Sequence, residues 1–328
     1  MSQAAGTPPP QDEVVDVFLT GLLFFDVVFT GLPQGPTPGI EVWSKGIGSG
    51  PGGIANFAVT LARFGLRTSL SAAFGDDFYG RYCWDALTEE GVELSRSRRF
   101  PDWHTPVTAS MAYEGDRALV TYGANAPLGV DALIGQPPPS RAAIVHIGPE
   151  PVEWMRLAHA AGTRIFADVG WDPSERWTSD VLDQLARCHA FMPNADEAMA
   201  YTRTSSPQAA LSRLADVVPL AVVTCGAEGA MAIDNTTGEH AWAPGLDVDA
   251  LDTTGAGDIF GASLVTGTLA GWPLVDRLRF ANLAAGLSVG RVGGAPAAPG
   301  WKGIASWWGA NSSESDYAFL DKVIAEHM

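Results

Sequence analysis

Residues 251–264 read Leu-Asp-Thr-Thr-Gly-Ala-Gly-Asp-Ile-Phe-Gly-Ala-Ser-Leu, a small-residue turn that feeds straight into an apolar run of helical character. Gly255, Ala256 and Gly257 carry little or no side chain, so their backbone N–H groups can converge on an anion at the positive end of the helix dipole. Asp258, at the head of that helix, is the informative oddity, because a carboxylate beside an anion cradle repels the anion unless it has work of its own. Taking the proton from an attacking hydroxyl is such work, while the N–H groups stabilise charge growing on a migrating phosphoryl group. An Asp there would also serve as a plain helix cap, and the residues of this turn alone leave both roles open.

A second glycine cluster, Gly50-Pro51-Gly52-Gly53-Ile54-Ala55-Asn56, precedes another helical run. Glycines at a helix start let backbone donors approach a polyhydroxylated ligand, and Asn56 can both donate to and accept from its hydroxyls. Gly48, Gly50 and Gly53 also spell the G-x-G-x-x-G of a dinucleotide site. The strand before them is short, however, and Asp76 and Asp77 come late for a ribose-binding acid. Further on, Pro193-Asn194-Ala195-Asp196-Glu197 follows a strand and opens a helix. Asn194 and Glu197, three apart, share one helix face, where Glu197 can hold Mg2+ through water and Asn194 can orient a phosphate oxygen. The same pair fits a capping box.

These segments, in this order, resemble the ribokinase-like (PfkB) carbohydrate kinases over about residues 14–300. The run Asp252-Thr253-Thr254-Gly255-Ala256-Gly257-Asp258 is similar to that family's long signature, and Gly52-Gly53-Ile54-Ala55-Asn56 to its Gly-Gly-x-x-x-Asn element. The resemblance implies Asp258 as general base and Gly255, Ala256 and Gly257 as the anion hole. It implies Asp26, Gly52, Gly53 and Asn56 as acceptor-binding residues. Asn194 and Glu197 fall at the family's Asn-x-x-Glu element, near the metal and phosphates. Thr224, Gly226 and Gly229 match its Thr-x-Gly-x-x-Gly nucleotide loop, with Asn282 and Gly294 nearer the base. Asp252 and Thr254 match positions around an activating monovalent cation, K+, although their side chains can equally stabilise the turn. Asp77, in Gly-Asp-Asp-Phe-Tyr-Gly, reads as structural.

The implied activity is ATP-dependent phosphorylation of a hydroxyl on a small sugar or sugar acid, with ATP and Mg2+ as cofactors. The Gly-Gly element holds no Lys or Arg to pair an existing phosphate, which favours an unphosphorylated acceptor, although Lys45, Arg98, Arg99 or Arg117 can arrive from elsewhere. Asp168-Val169-Gly170-Trp171-Asp172 stands where sugar-kinase relatives show Asp-x-Asn-x-Arg, which leaves the substrate subgroup open. Trp43 and Trp171 can stack on a sugar face or a base, or simply pack. A nucleoside kinase on the same scaffold and a catalytically idle sugar- or nucleotide-binding relative are the alternatives.

Positioning such groups requires a scaffold, and the remaining pattern supplies one. Short β-rich runs at 14–20, 67–74, 142–147, 164–169, 190–192 and 220–224 alternate with helical runs at 53–64, 78–90, 152–161, 181–187, 195–201 and 208–215. Such alternation predicts a doubly wound α/β domain, its mostly parallel sheet flanked by helices. A hairpin over 230–243 and two apolar helices, 257–269 and 273–289, close it. Residues 40–43, 105–113 and 118–123 read as strands without helices. They predict a small β-sheet lid over 31–45 and 98–125, with 14–30, 46–97 and 126–328 as the core and 1–13 as a loose tail.

With 328 residues and 46% hydrophobic composition, burial is not limiting. A net charge of -17 argues against nucleic-acid or anionic-lipid partners. Cys83, Cys188 and Cys225 are too few and scattered for a disulfide framework, which suits a reducing compartment. No secretory leader or membrane span is expected, so the expected location is the cytoplasm. Lid sheets of the resembled family can pair between subunits, which implies a homodimer through the lid.

Overall fold

The computed structural model describes residues 14–328 except 114, 115, 171 and 173. The expected tail 1–13, the tip of the 114–117 turn and the stacking candidate Trp171 lie outside the described residues. In chain order the strands are β1 (Val15–Thr20), β2 (Leu23–Thr30), β3 (Gly46–Gly53), β4 (Thr68–Ser71), β5 (Ala73–Gly75), β6 (Arg98–Phe100), β7 (Val107–Tyr113), β8 (Asp116–Tyr122), β9 (Ser140–His146), β10 (Arg164–Asp168), β11 (Ala190–Phe191), β12 (Leu220–Thr224), β13 (Ala230–Asp234) and β14 (Glu239–Ala243). The α-helices are α1 (Ile54–Arg63), α2 (Phe78–Glu89), α3 (Val130–Ile134), α4 (Glu153–Ala160), α5 (Asp180–Gln184), α6 (Ala195–Thr202), α7 (Pro207–Ala215), α8 (Ala256–Leu269), α9 (Leu274–Val289), α10 (Gly294–Ala297), α11 (Trp301–Ala310) and α12 (Leu320–His327).

Eight strands form the main sheet in the order β14-β13-β12-β11-β10-β9-β1-β4. Pairing is parallel from β4 through to β12 and antiparallel at the β12–β13–β14 end. Both faces are covered, so the central strands are apolar on both sides. Val17 and Leu19 of β1 pack in one cluster with α1 and α8, whereas Phe18 packs in the other with Trp154 of α4. Helix α8 is buried from Ile259 to Leu269, and its sequence is correspondingly apolar all round.

A second, four-stranded sheet runs β3-β2-β7-β8. It includes two strands that the sequence reading assigned to the core, β2 and β3, within the ranges 14–30 and 46–97. Strand β2 leaves the end of β1 and pairs antiparallel with β3 and parallel with β7. Strand β3, Gly-Ile-Gly-Ser-Gly-Pro-Gly-Gly, carries almost none of the β-branched residues that mark a strand, and its glycines serve close approach instead. A Cβ on Gly50 would meet the ring of Pro296 at 2.5 Å. Residues 40–43 do not form the expected strand. Ile40 makes only an isolated bridge to Thr37, and Trp43 is 78% exposed.

The C-terminal helices form a third cluster against the outer side of α8 and α9, with Trp301, Ile304, Trp308 and Leu320 packed on Phe64, Ile259 and Phe280. Among the described residues, no helix is long and apolar enough to cross a membrane.

Candidate active site

The turn before α8 is built as its composition demands. Gly255 caps the helix with φ 72°, a conformation in which a side chain is strained, and any Cβ there would press on the Asn56 amide at 2.8 Å. Asp252 holds the turn from below, accepting hydrogen bonds from the backbone N–H groups of Thr254 (3.0 Å) and Gly293 (2.7 Å). Asp258 then projects from the first turn of α8, its side chain 19% exposed. The Asn56 amide donates to its Oδ2 at 2.7 Å, and Nε2 of His146 lies 3.6 Å from its Oδ1.

Asn56 was read from sequence as an acceptor-binding residue. It is 2% exposed, its amide is committed to Asp258, and its carbonyl oxygen, without a hydrogen-bond partner, faces Gly294. In this arrangement it orients the carboxylate. Gly294, expected from the resemblance to lie near the base, stands against that Asn56 side chain, where a Cβ would collide with it, and does not line the cavity described below. The reason is that β3, α1 and α10 converge on the head of α8, which no local spacing discloses.

Two further residues stand at the Asp258 carboxylate: His146, which the sequence reading did not name, and Asp168, which it named only as the start of the segment departing from Asp-x-Asn-x-Arg. His146 and Asp168 end the adjacent parallel strands β9 and β10 and are direct register partners. Nε2 of His146 is 3.8 Å from Asp168, and suitable donor atoms of His146, Asp168 and Asp258 all lie within 4.8 Å of one another. Burial alone would lower the imidazole's pKa, but the Asp258 and Asp168 carboxylates outweigh it and hold it above its usual value. Burial pushes the Asp168 carboxyl up to about 7, against the opposing His146 charge. A polar residue at the C-terminal end of a parallel strand was the signal that could have found both.

Asp26 comes in from the small sheet. Its carboxylate occupies the space a Cβ on Gly52 would need, so Gly52 makes room for the acid. Burial raises this carboxyl to about 6, helped by the negative charge of Asp258 and opposed by Arg117 on β8. Asp26 and Asp258 thus feel each other across the cleft between the two sheets. Of the other cations considered from sequence, Arg99 stacks over the Trp84 ring at 4.2 Å.

A cavity of about 260 Å3 lies on the other side of the α8 start. Thr224, Gly226, Gly229 and Asn282 line it together with Ala256 and Gly257. The loop after β12 can adopt this shape because Gly229, at φ 99°, sits where any Cβ would collide with the Ala243 carbonyl. Asn282 fixes the opposite wall, donating to the carbonyls of Ala243 and Pro244, both at 2.9 Å. Asn194 and Glu197 form a capping box at the start of α6, beside Thr224, and do not line this cavity. Glu197 is 6% exposed and its pKa is raised by burial. Its charge is felt at His146 and Asp168. Asp77 caps α2 by accepting from Gly80 N–H at 2.7 Å, a structural role.

A helix start with a carboxylate on it, a glycine-walled cavity behind and an acidic cleft in front, all on a doubly wound α/β core with a small separate sheet, are the features of a ribokinase-like kinase. The family model for pfkB family carbohydrate kinases matches residues 42–300, and the chain belongs to that family. It is 28% identical over 278 residues to the ribokinase of Schizosaccharomyces pombe, covering 77% of this chain and 85% of that one. It is also 28% identical over 253 residues to the pseudouridine kinase of Escherichia coli, covering 71% and 77%. The structure of Arabidopsis thaliana ribokinase complexed with ribose and ATP superimposes with a TM-score of 0.73 at 21% identity, covering 90% of this chain and 98% of the other.

Proposed function

We propose that this chain transfers the γ-phosphoryl group of ATP to a hydroxyl of a small, unphosphorylated sugar or sugar acid. The observation that carries the reading is the place of Asp258, on the helix start whose Ala256 and Gly257 line the glycine-walled cavity and opposite the acid Asp26. The acceptor lies against Asp26 and presents one hydroxyl to Asp258, which takes its proton as the new O–P bond forms. The bond between the β,γ-bridging oxygen and the γ-phosphorus breaks, and ADP leaves. N–H groups at the start of α8 stabilise the charge on the moving group. Asn56 keeps the carboxylate aimed, and the His146 imidazole beside it offsets its charge.

Mg2+ supplies charge neutralisation at the transferring phosphates. The donors fit it, since Glu197 offers a buried carboxylate that can hold a hydrated ion. Thr254, whose buried hydroxyl has no partner, suits a monovalent cation beside the Asp252 turn. A cytoplasmic site of action agrees with ATP supply and with three free thiols, Cys83, Cys188 and Cys225. The small sheet makes a homodimer through its outer strand β8.

ADP release measured across a panel of sugars and sugar acids, with Mg2+ and with or without K+, tests the proposal. Wild-type turnover is expected to rise with K+. Asp258→Asn is expected to lower kcat by about 100- to 10000-fold while an ATP analogue still binds. Near-normal turnover in that variant removes Asp258 from the role. ATP binding with no ADP release from any acceptor marks an idle binding protein.

A further inference from the structure

A second, larger cavity of about 490 Å3 opens next to the cluster of His146, Asp168 and Asp258, shares His146 with it and also takes in Gly53, expected from sequence to bind the acceptor. It runs away from Asp258 between the ends of β1 and β9 and the small sheet. Its walls are Leu23 and Phe24 of β2, Pro106 before β7, Leu133 of α3, and Ile147 and Val152 after β9. Leu23, Leu133 and Ile147 are buried core residues. Most polar groups on its lining are committed or peripheral, the exception being Trp154, whose buried indole N–H has no partner among the described residues. Gln184 gives its amide to the carbonyls of Gly148 and Asp180, His146 faces Asp258 and Asp168, and Glu150 is exposed.

A free monosaccharide bears a hydroxyl on nearly every carbon, and each one buried against such walls forfeits its hydrogen bonds to water. A flat apolar group gains by the same burial, and the volume falls within the roughly 300–1,000 Å3 range of small-molecule sites. The acidic and the apolar regions adjoin, so one molecule can span both, its hydroxylated ring at Asp26 and Asp258 and its substituent beyond His146.

We propose that this cavity receives an aromatic-sized apolar substituent of the acceptor, so that the enzyme phosphorylates a substituted sugar, of glycoside or nucleoside type, in preference to the free sugar. This rests on the phosphoryl-transfer reading above and narrows its acceptor.

The glycines at the cavity wall provide the test. Gly148 and Gly170 are exposed residues on the cavity lining, and a Cβ on either meets nothing within 4 Å, so a large side chain at either position can be accommodated at the cavity mouth. Matched acceptors are compared by ADP release in the full-length enzyme with Mg-ATP: ribose, methyl ribofuranoside, phenyl ribofuranoside, uridine and inosine, and glucose with its methyl and phenyl glucosides. The expected result is a kcat/KM at least ~10-fold higher for an aromatic member than for its free sugar. Gly148→Phe is expected to lower the aromatic member's kcat/KM more than the free sugar's, so that the ratio between them falls, while an ATP analogue still binds. Gly170→Phe serves if Gly148→Phe does not fold. The phenyl glycosides and the nucleosides separate a carbon-ring substituent from a heterocyclic base. Turnover of free sugars equal to or better than every substituted partner overturns this inference and leaves the phosphotransferase reading standing, as does a Gly148→Phe variant that lowers both members alike. No ADP release with any acceptor removes both.

Discussion

The carboxyl of Asp26 titrates near 6 because it is buried beside another acid, with Asp258 and Asp252 raising its pKa and Arg117 lowering it. The folded chain therefore binds this proton more tightly than the unfolded chain. Asp26's stability contribution is fully present below the unfolded value of 3.8 and is lost as pH rises through about 6. In the proposed reading acceptor binding runs the other way, because only the ionised Asp26 carboxylate can accept from two hydroxyls at once. The acceptor KM is expected to fall as pH rises from about 5 to 7. Asp26→Asn is expected to raise KM and flatten that limb, which separates Asp26 from Asp168, titrating at about 7. A KM profile unchanged in the variant assigns the limb elsewhere. Asn56 shows the limit of reading single residues: its type and place one turn into α1 were visible, but its partner, 202 positions away, was not.

Among elements, β8 is the outer edge of the small sheet and exposes Leu119, Val120 and Tyr122 at 55%, 62% and 67%. Bare backbone donors and acceptors with apolar side chains on an edge invite pairing with another strand. Light scattering at micromolar concentration is expected to find a dimer, and Val120→Lys a folded monomer. A monomeric wild type rules out pairing through β8. Strands β7 and β8 were legible from their β-branched and aromatic residues, whereas β3 was not, since a run with five glycines offers no alternation to detect. The Thr-x-Gly-x-x-Gly loop was found through the family resemblance, and its glycines have a local reason in the fold, the positive φ at Gly226 and Gly229.

At the scale of the molecule, α8 and α9 are packed from both sides, and the Trp-rich C-terminal segment supplies the outer layer. Trp301 is 7% exposed, stacks on Phe280 at 5.5 Å and donates its indole N–H to the Phe64 carbonyl at 3.0 Å. It lines neither the glycine-walled cavity beside the α8 start nor the one beside His146. Trp301→Ala is expected to cost about 3–5 kcal/mol in denaturant unfolding while kcat/KM is preserved under native conditions. A loss of activity without loss of stability would give this segment a functional role instead.

What the chain's order of residues settled by itself is whatever depends on neighbours along it: the alternating strands and helices, the Asp252–Asp258 turn and the glycine loop after β12. Their physics is local, a matter of backbone conformation, helix dipole and face periodicity. Strand order in the main sheet brought His146 beside Asp168. Convergence of β3, α1 and α10 on the α8 start turned Asn56 toward Asp258, and the small sheet's placement opened a largely apolar cavity beside His146. Those are contacts between distant segments, and only the packing of the whole chain selects among them.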